Sequence, residues 1–259
     1  MDDEDGKHLA ELLGVLSEVD AWAARTNADA SRLRPSPRSS LRGDDGKAHP
    51  YDLSHAVWHS LSHAVDHLGS LRALLGGAKV IHMYAPFTLV RGALENACAA
   101  TWLLQPPSRN DRLTRRFRLA IADIGNGEKA RQLTGQPASR TAQERIDEIH
   151  AIAARAGIDA VALKKPAGYT EIIKTVDQDG PANSAIEASW RLCSGFAHGD
   201  LWTTLSASRR TQIPSPAEVG IGTFKIEANL SLLTQVTRLA AGITSRGWQL
   251  YDQRCRPLS

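Results

Sequence analysis

The segment that decides the fold ends Ala97-Cys98-Ala99-Ala100-Thr101-Trp102-Leu103-Leu104 and begins near residue 80. Over residues 80–104 apolar side chains point in nearly every direction of a helical wheel. A helix apolar on one stripe lies at a surface, whereas one apolar all round is enclosed by other helices. The pattern therefore predicts a central helix over 80–104. Pro86 sits in its first turn or kinks it, and Pro106-Pro107 ends it. The apolar run Ala97 to Leu104 falls far short of the roughly 18 residues that cross a bilayer.

Around this helix the chain keeps helical spacing. Residues 7–25 repeat Leu9, Leu12, Leu13, Leu16, Val19 and Trp22 at steps of three and four, and residues 52–76 do so through Leu53, Val57, Leu61, Val65, Leu68 and Leu71. Residues 109–133 read as a basic amphipathic helix. Residues 139–156 read as another, with Thr141 and Glu144 placed as a capping box. Shorter helices fit 168–178 and 182–198, and a long one fits 228–252. Two stretches break the pattern. Residues 27–50 carry Pro35, Pro37, Pro50, Gly43 and Gly46 and read as a linker or loop. Residues 203–227 read as a long loop or small β-hairpin. The expectation is an all-α, single-domain bundle of about seven to eight helices. An N-terminal helix over 1–26 would pack, through the 27–50 linker, on a bundle over 51–255.

The 259 residues carry 31 Lys+Arg and 28 Asp+Glu, a net charge of +3. That balance is too small to imply nucleic-acid binding. Of the basic residues 23 are Arg, a bias that fits a high-G+C bacterial genome and carries no functional weight. Cys98, Cys193 and Cys255 are odd in number and far apart, which fits reduced thiols. The acidic start, Met1-Asp2-Asp3-Glu4-Asp5, is unlike a secretory leader. A cytoplasmic protein without membrane contact is expected. No P-loop, GxSxG elbow or GxGxxG turn is present, which argues against nucleotide hydrolysis and α/β-hydrolase chemistry.

Four constellations could carry function. His55, His59, His63 and His67 recur every four residues and share a helix face, with Asp66 beside the last. They read as a polar face, as a pH-sensitive contact, or as a metal site in which His59 and His63 would be the ligands. Arg91 and Glu95 lie four apart inside the most apolar helix. Buried charge needs partners, and Arg before Glu is the weaker intrahelical order, so partners from neighbouring helices are expected. Arg191, Ser194 and His198 share one face near a helix C-terminus, where the macrodipole favours an imidazolium. That His could do acid–base work or lock two helices together. Arg109, Arg112 and Arg116 form a basic row that reads as a solvated face or as an anion or RNA-backbone surface.

The stretch Tyr84 to Ala97, with Trp102-Leu103-Leu104 and the later Ser194-Gly195-Phe196-Ala197-His198-Gly199, resembles a group of uncharacterised bacterial all-helical proteins. That resemblance implies a fold and no activity. The Arg191-to-His198 spacing also resembles HEPN-type helical bundles, many of which are metal-independent ribonucleases of toxin and antiviral systems. Their motif is Arg, four to six residues, then His, and their site forms across a dimer. Leu192 departs from the polar residue that often follows the Arg there. The second likeness implies a homodimer, RNA as partner, Arg191 and His198 as catalytic residues, and no cofactor. The residues themselves favour a non-catalytic binding or association module built round Arg91, Glu95, His67 and Ser194. The HEPN-like ribonuclease and a metal-binding bundle are its alternatives.

Overall fold

A computed structural model describes residues 3–27, 34–179, 185–214 and 222–257. The order is α1 (Asp3–Val15), a 3-10 turn (Leu16–Glu18), α2 (Val19–Thr26), α3 (Ser40–Ala48), α4 (Leu53–Arg72), α5 (Ala85–Leu104), α6 (Arg109–Thr134), α7 (Ala142–Arg155), α8 (Tyr169–Gln178), α9 (Ala185–His198), α10 (Leu201–Ala207), β1 (Arg209–Ile213), β2 (Thr223–Glu227) and α11 (Leu230–Cys255). The architecture is all-α with one small antiparallel hairpin, as the sequence predicts. Arg209 pairs with Glu227 and Ile213 with Thr223 in that hairpin. Among the described residues no helix is long and apolar enough to cross a membrane.

Helix α5 is central, packing on α4, α11, α9, α8 and α6. It starts at Ala85, later than residue 80, with Pro86 in its first turn. Phe87, Val90, Leu94, Cys98, Trp102 and Leu103 are all buried. Gly247 of α11 sits tightly against α4, where an added Cβ would lie 2.8 Å from the buried Leu61 Cδ2. A smaller apolar cluster joins α6 to α7 through Leu113, Phe117, Ile149 and Ile152. The Thr141–Glu144 capping box opens α7 as read from the sequence. Helix α1 packs on α11 and α2 on α4, so the N-terminal segment belongs to the bundle, although the 3-10 turn breaks the predicted single helix in two.

The linker reading of 27–50 needs correction. Residues 28–33 lie outside the described residues, but 40–48 form α3, with Leu41, Asp44, Asp45 and Ala48 buried. Two glycines and two aspartates give this segment poor helix propensity. Tertiary contacts hold it instead. The Ser39 hydroxyl accepts the Arg42 N–H at 3.2 Å as an N-cap. Asp44 has no exposed surface and accepts from Arg112 through Nε at 2.7 Å and Nη2 at 3.0 Å. Arg109 Nε adds a third bond at 3.0 Å.

A buried pair broken on one side strands a charge, at a cost of about 3–5 kcal/mol. Asp44→Ala should therefore lower the unfolding free energy by roughly that amount in urea titration. A loss below about 1 kcal/mol would show that α3 is not anchored there.

Candidate functional site

The charges within α5 close on themselves. Arg91 Nε donates to Glu95 Oε1 at 3.1 Å, so the weaker helical order still forms the pair. The expected neighbour is Trp190 of α9, whose indole N–H donates to the same oxygen at 2.8 Å. Both side chains are half-buried. His67 of α4 completes the group by lying against Gly92, where a Cβ would fall 2.4 Å from its Nε2. Thus Arg91, Glu95 and His67 converge, with Trp190 as the member that sequence reasoning missed. Ser194 is partly buried, and no hydrogen bond joins it to them among the described residues.

Arg191 and His198 of α9 are exposed, and the Arg191 guanidinium lies 5.8 Å from the Trp190 ring centroid. Arg191 is held by Glu187, one turn earlier, at 2.8 Å. His198 ends the helix, and Gly199 at φ +74 turns the chain left-handed. The Asp200 N–H then donates to Gly195 O at 2.8 Å.

The reading of Arg109, Arg112 and Arg116 as an anion surface also needs correction. Arg112 is buried, Arg116 partly buried and Arg109 exposed, and each is bonded to the protein itself. Arg109 and Arg112 hold Asp44, while Arg116 Nε donates to Asp52 O at 3.3 Å and its guanidinium lies 5.9 Å from the Tyr51 ring centroid. Their neighbours follow suit. Arg115 donates to Trp102 O at 2.7 Å, Arg112 to Pro106 O and Pro107 O at 2.9 and 2.8 Å, and Arg254 to Leu104 O at 3.3 Å. The last carbonyls of a helix have no intrahelical donor, and here arginines supply it. The spacing could not reveal this, because Asp44 lies far upstream in a segment read as loop.

The histidine ladder borders a cleft of about 780 Å³ between α3 and α4. His55, His59 and His63 line it together with Trp58, Tyr251, Arg34, Arg42, Asp45 and Asp52. The His59 and His63 rings lie 4.2 Å apart at 36°. Trp58 makes the aromatic wall, 5.2 Å from Trp248 and 5.8 Å from Tyr251. His49 and His55 flank Asp52 at 3.3 and 3.7 Å. Asp45 accepts the Ser54 N–H at 2.9 Å, yet burial raises its pKa above the usual carboxylate value. Arg34 and Arg42 make no ion pair among the described residues. Sequence reasoning passed over both, since they fall in the supposed linker. As a metal site the ladder supplies two adjacent imidazoles. Among the described residues no three His, Cys, Asp or Glu side chains are placed to hold an ion. The metal reading therefore lacks its third ligand.

Burial is the largest cause lowering the pKa of both His59 and His67. The neighbouring His63 lowers both further, while Asp123 opposes at His59, and Asp66 and Glu95 oppose at His67. The unfolded chain therefore binds more protons below the usual imidazole pKa, and stability is lost as pH falls through that range. The melting temperature should drop between about pH 7.5 and about pH 5.5, and His59→Gln should make the drop smaller. A melting temperature that rises on acidification would contradict these environments. Comparison with protein-family models, curated proteins and solved structures finds no match, so both resemblances rest on the residues quoted for them.

Proposed function

We propose that this protein is a non-catalytic binding module that takes a small organic anion in the α3–α4 cleft. The observation that carries the reading is the pairing of two arginines, Arg34 and Arg42, with four imidazoles, those of His49, His55, His59 and His63, around one cavity. Neither arginine has an ion-pair partner among the described residues. A concave site with an aromatic wall and a few convergent polar groups is the usual form of a ligand pocket. Protonation of His59, which burial opposes, adds positive charge to it, so anion affinity rises as pH falls.

Several potential reactive groups elsewhere are occupied or quiet. Glu95 is held by Arg91 and Trp190. Burial pushes the Cys193 thiol up to about 12 and Cys255 up to about 11, and raises Cys98 as well, so none is a ready thiolate at neutral pH. Arg191, which the ribonuclease reading needs, is paired with Glu187.

Thermal-shift titration with citrate and with AMP tests the proposal. At least one should raise the melting temperature, more strongly at about pH 6 than at about pH 7.5. The Arg34→Ala/Arg42→Ala double variant, both positions being exposed, should remove the shift. Stabilisation that survives the double variant, or none with either anion, overturns the reading. RNA cleavage by the wild type that is lost in His198→Ala would move the function to α9.

A further inference from the structure

A second cavity of about 510 Å³ lies among α5, α8, α9 and α11, and shares no lining residue with the α3–α4 cleft. Its walls are apolar, with Val176, Ile186, Leu239 and Ile243 on three helices. Two polar atoms interrupt them. Thr101 Oγ1 and Gln105 Oε1 are buried with no hydrogen-bond partner among the described residues. An unpaired buried polar atom costs about 1–3 kcal/mol, so such atoms point to a missing partner. The Thr101 residue is only 4% exposed. Three other helical threonines turn their hydroxyls back on the carbonyl four residues earlier. Thr234 does so to Leu230 O, Thr244 to Ala240 O and Thr175 to Glu171 O, each at 2.8 Å. The Thr101 hydroxyl does not, and its residue lines the cavity. Two further orphaned atoms, on Thr237 and Trp248, border none of the cavities described.

The lining also changes character outward. Arg246 and Asp179 are exposed, and so is Arg238, which pairs with Glu11. Asp179 lies within the electrostatic reach of Arg115. Arg246 has no ion pair among the described residues. We infer that this cavity binds a hydroxyl-bearing amphipathic carboxylate: a hydroxyl at the inner end, an apolar body, and a carboxylate at the mouth. A hydroxyl both donates and accepts. It can donate to Gln105 Oε1 and accept from Thr101, which satisfies both orphans with one group. Val176, Ile186, Leu239 and Ile243 enclose the apolar body, and Arg246 meets the carboxylate. A hydroxyaryl alkanoic acid has this order of groups.

Isothermal titration of the full chain with 3-(4-hydroxyphenyl)propionate and with 3-phenylpropionate tests the inference. The hydroxylated acid should bind at least roughly tenfold more tightly, since the other leaves both buried atoms unpaired. Arg246→Ala, at an exposed position, should weaken it by about tenfold, and Ile243→Trp should abolish it by filling the cavity. Circular dichroism and melting temperature verify that the variants fold. Should Ile243→Trp fail to fold, Arg246→Ala and the ligand pair still decide the matter. Equal affinity for the two acids, binding unchanged in Arg246→Ala, or no heat with the hydroxylated acid at millimolar concentration overturns the inference.

Discussion

The C-terminal end of α5 is buried, and its carbonyl oxygens must find donors where water is excluded. Much of the molecule is arranged around that constraint. Trp102, Leu103 and Leu104 are almost fully enclosed, and the chain runs on into Pro106-Pro107, which offer no N–H. Arg115 of α6 reaches Trp102 O and Arg254 of α11 reaches Leu104 O, while Arg112 of α6 holds the Pro106 and Pro107 carbonyls that follow the helix. Cations also suit the negative end of the helix dipole. Burying Arg112 among them requires a counter-charge, and Asp44 provides it with no exposed surface of its own. One carboxylate thus draws a glycine-bearing, weakly helical segment onto the bundle as α3.

The position of α3 is what makes the cleft against α4. Its outer side carries Arg42, and the chain leading into it carries Arg34; α4 supplies the opposing imidazoles and Trp58. The structural ion pair and the cleft are therefore linked through one short helix. The charges that look available in the sequence, the row along α6, are used in holding the fold. Those that are available lie in the segment that reads as a connection.

Periodic apolar spacing makes α4, α5, α7 and α11 legible in the sequence, because their burial is carried by residues three and four apart. The hairpin is legible as one of two options from its flanking prolines and glycines. Helix α3 is not, since its stability comes from partners more than sixty residues away. The Arg91–Glu95 pair is readable as unusual, but its partner Trp190 lies on another helix and no local rule points to it. The histidine ladder is visible as a pattern, whereas its neighbours Arg34, Arg42 and Tyr251 join it only through folding. Thr101 is hidden in an apolar run. A threonine there looks like ordinary core until its hydroxyl is seen without a partner.

The central claim is that α3 is an integral wall of the bundle, held by Asp44. Hydrogen–deuterium exchange followed by mass spectrometry reads this directly from the amides of Ser40–Ala48. If the claim is right, the amides hydrogen-bonded within α3 exchange slowly, with protection comparable to that of α6, and Asp44→Asn speeds their exchange before it affects α5. If they exchange at the rate of an open loop in the wild type, α3 is not a wall, and the cleft built against it does not exist in solution.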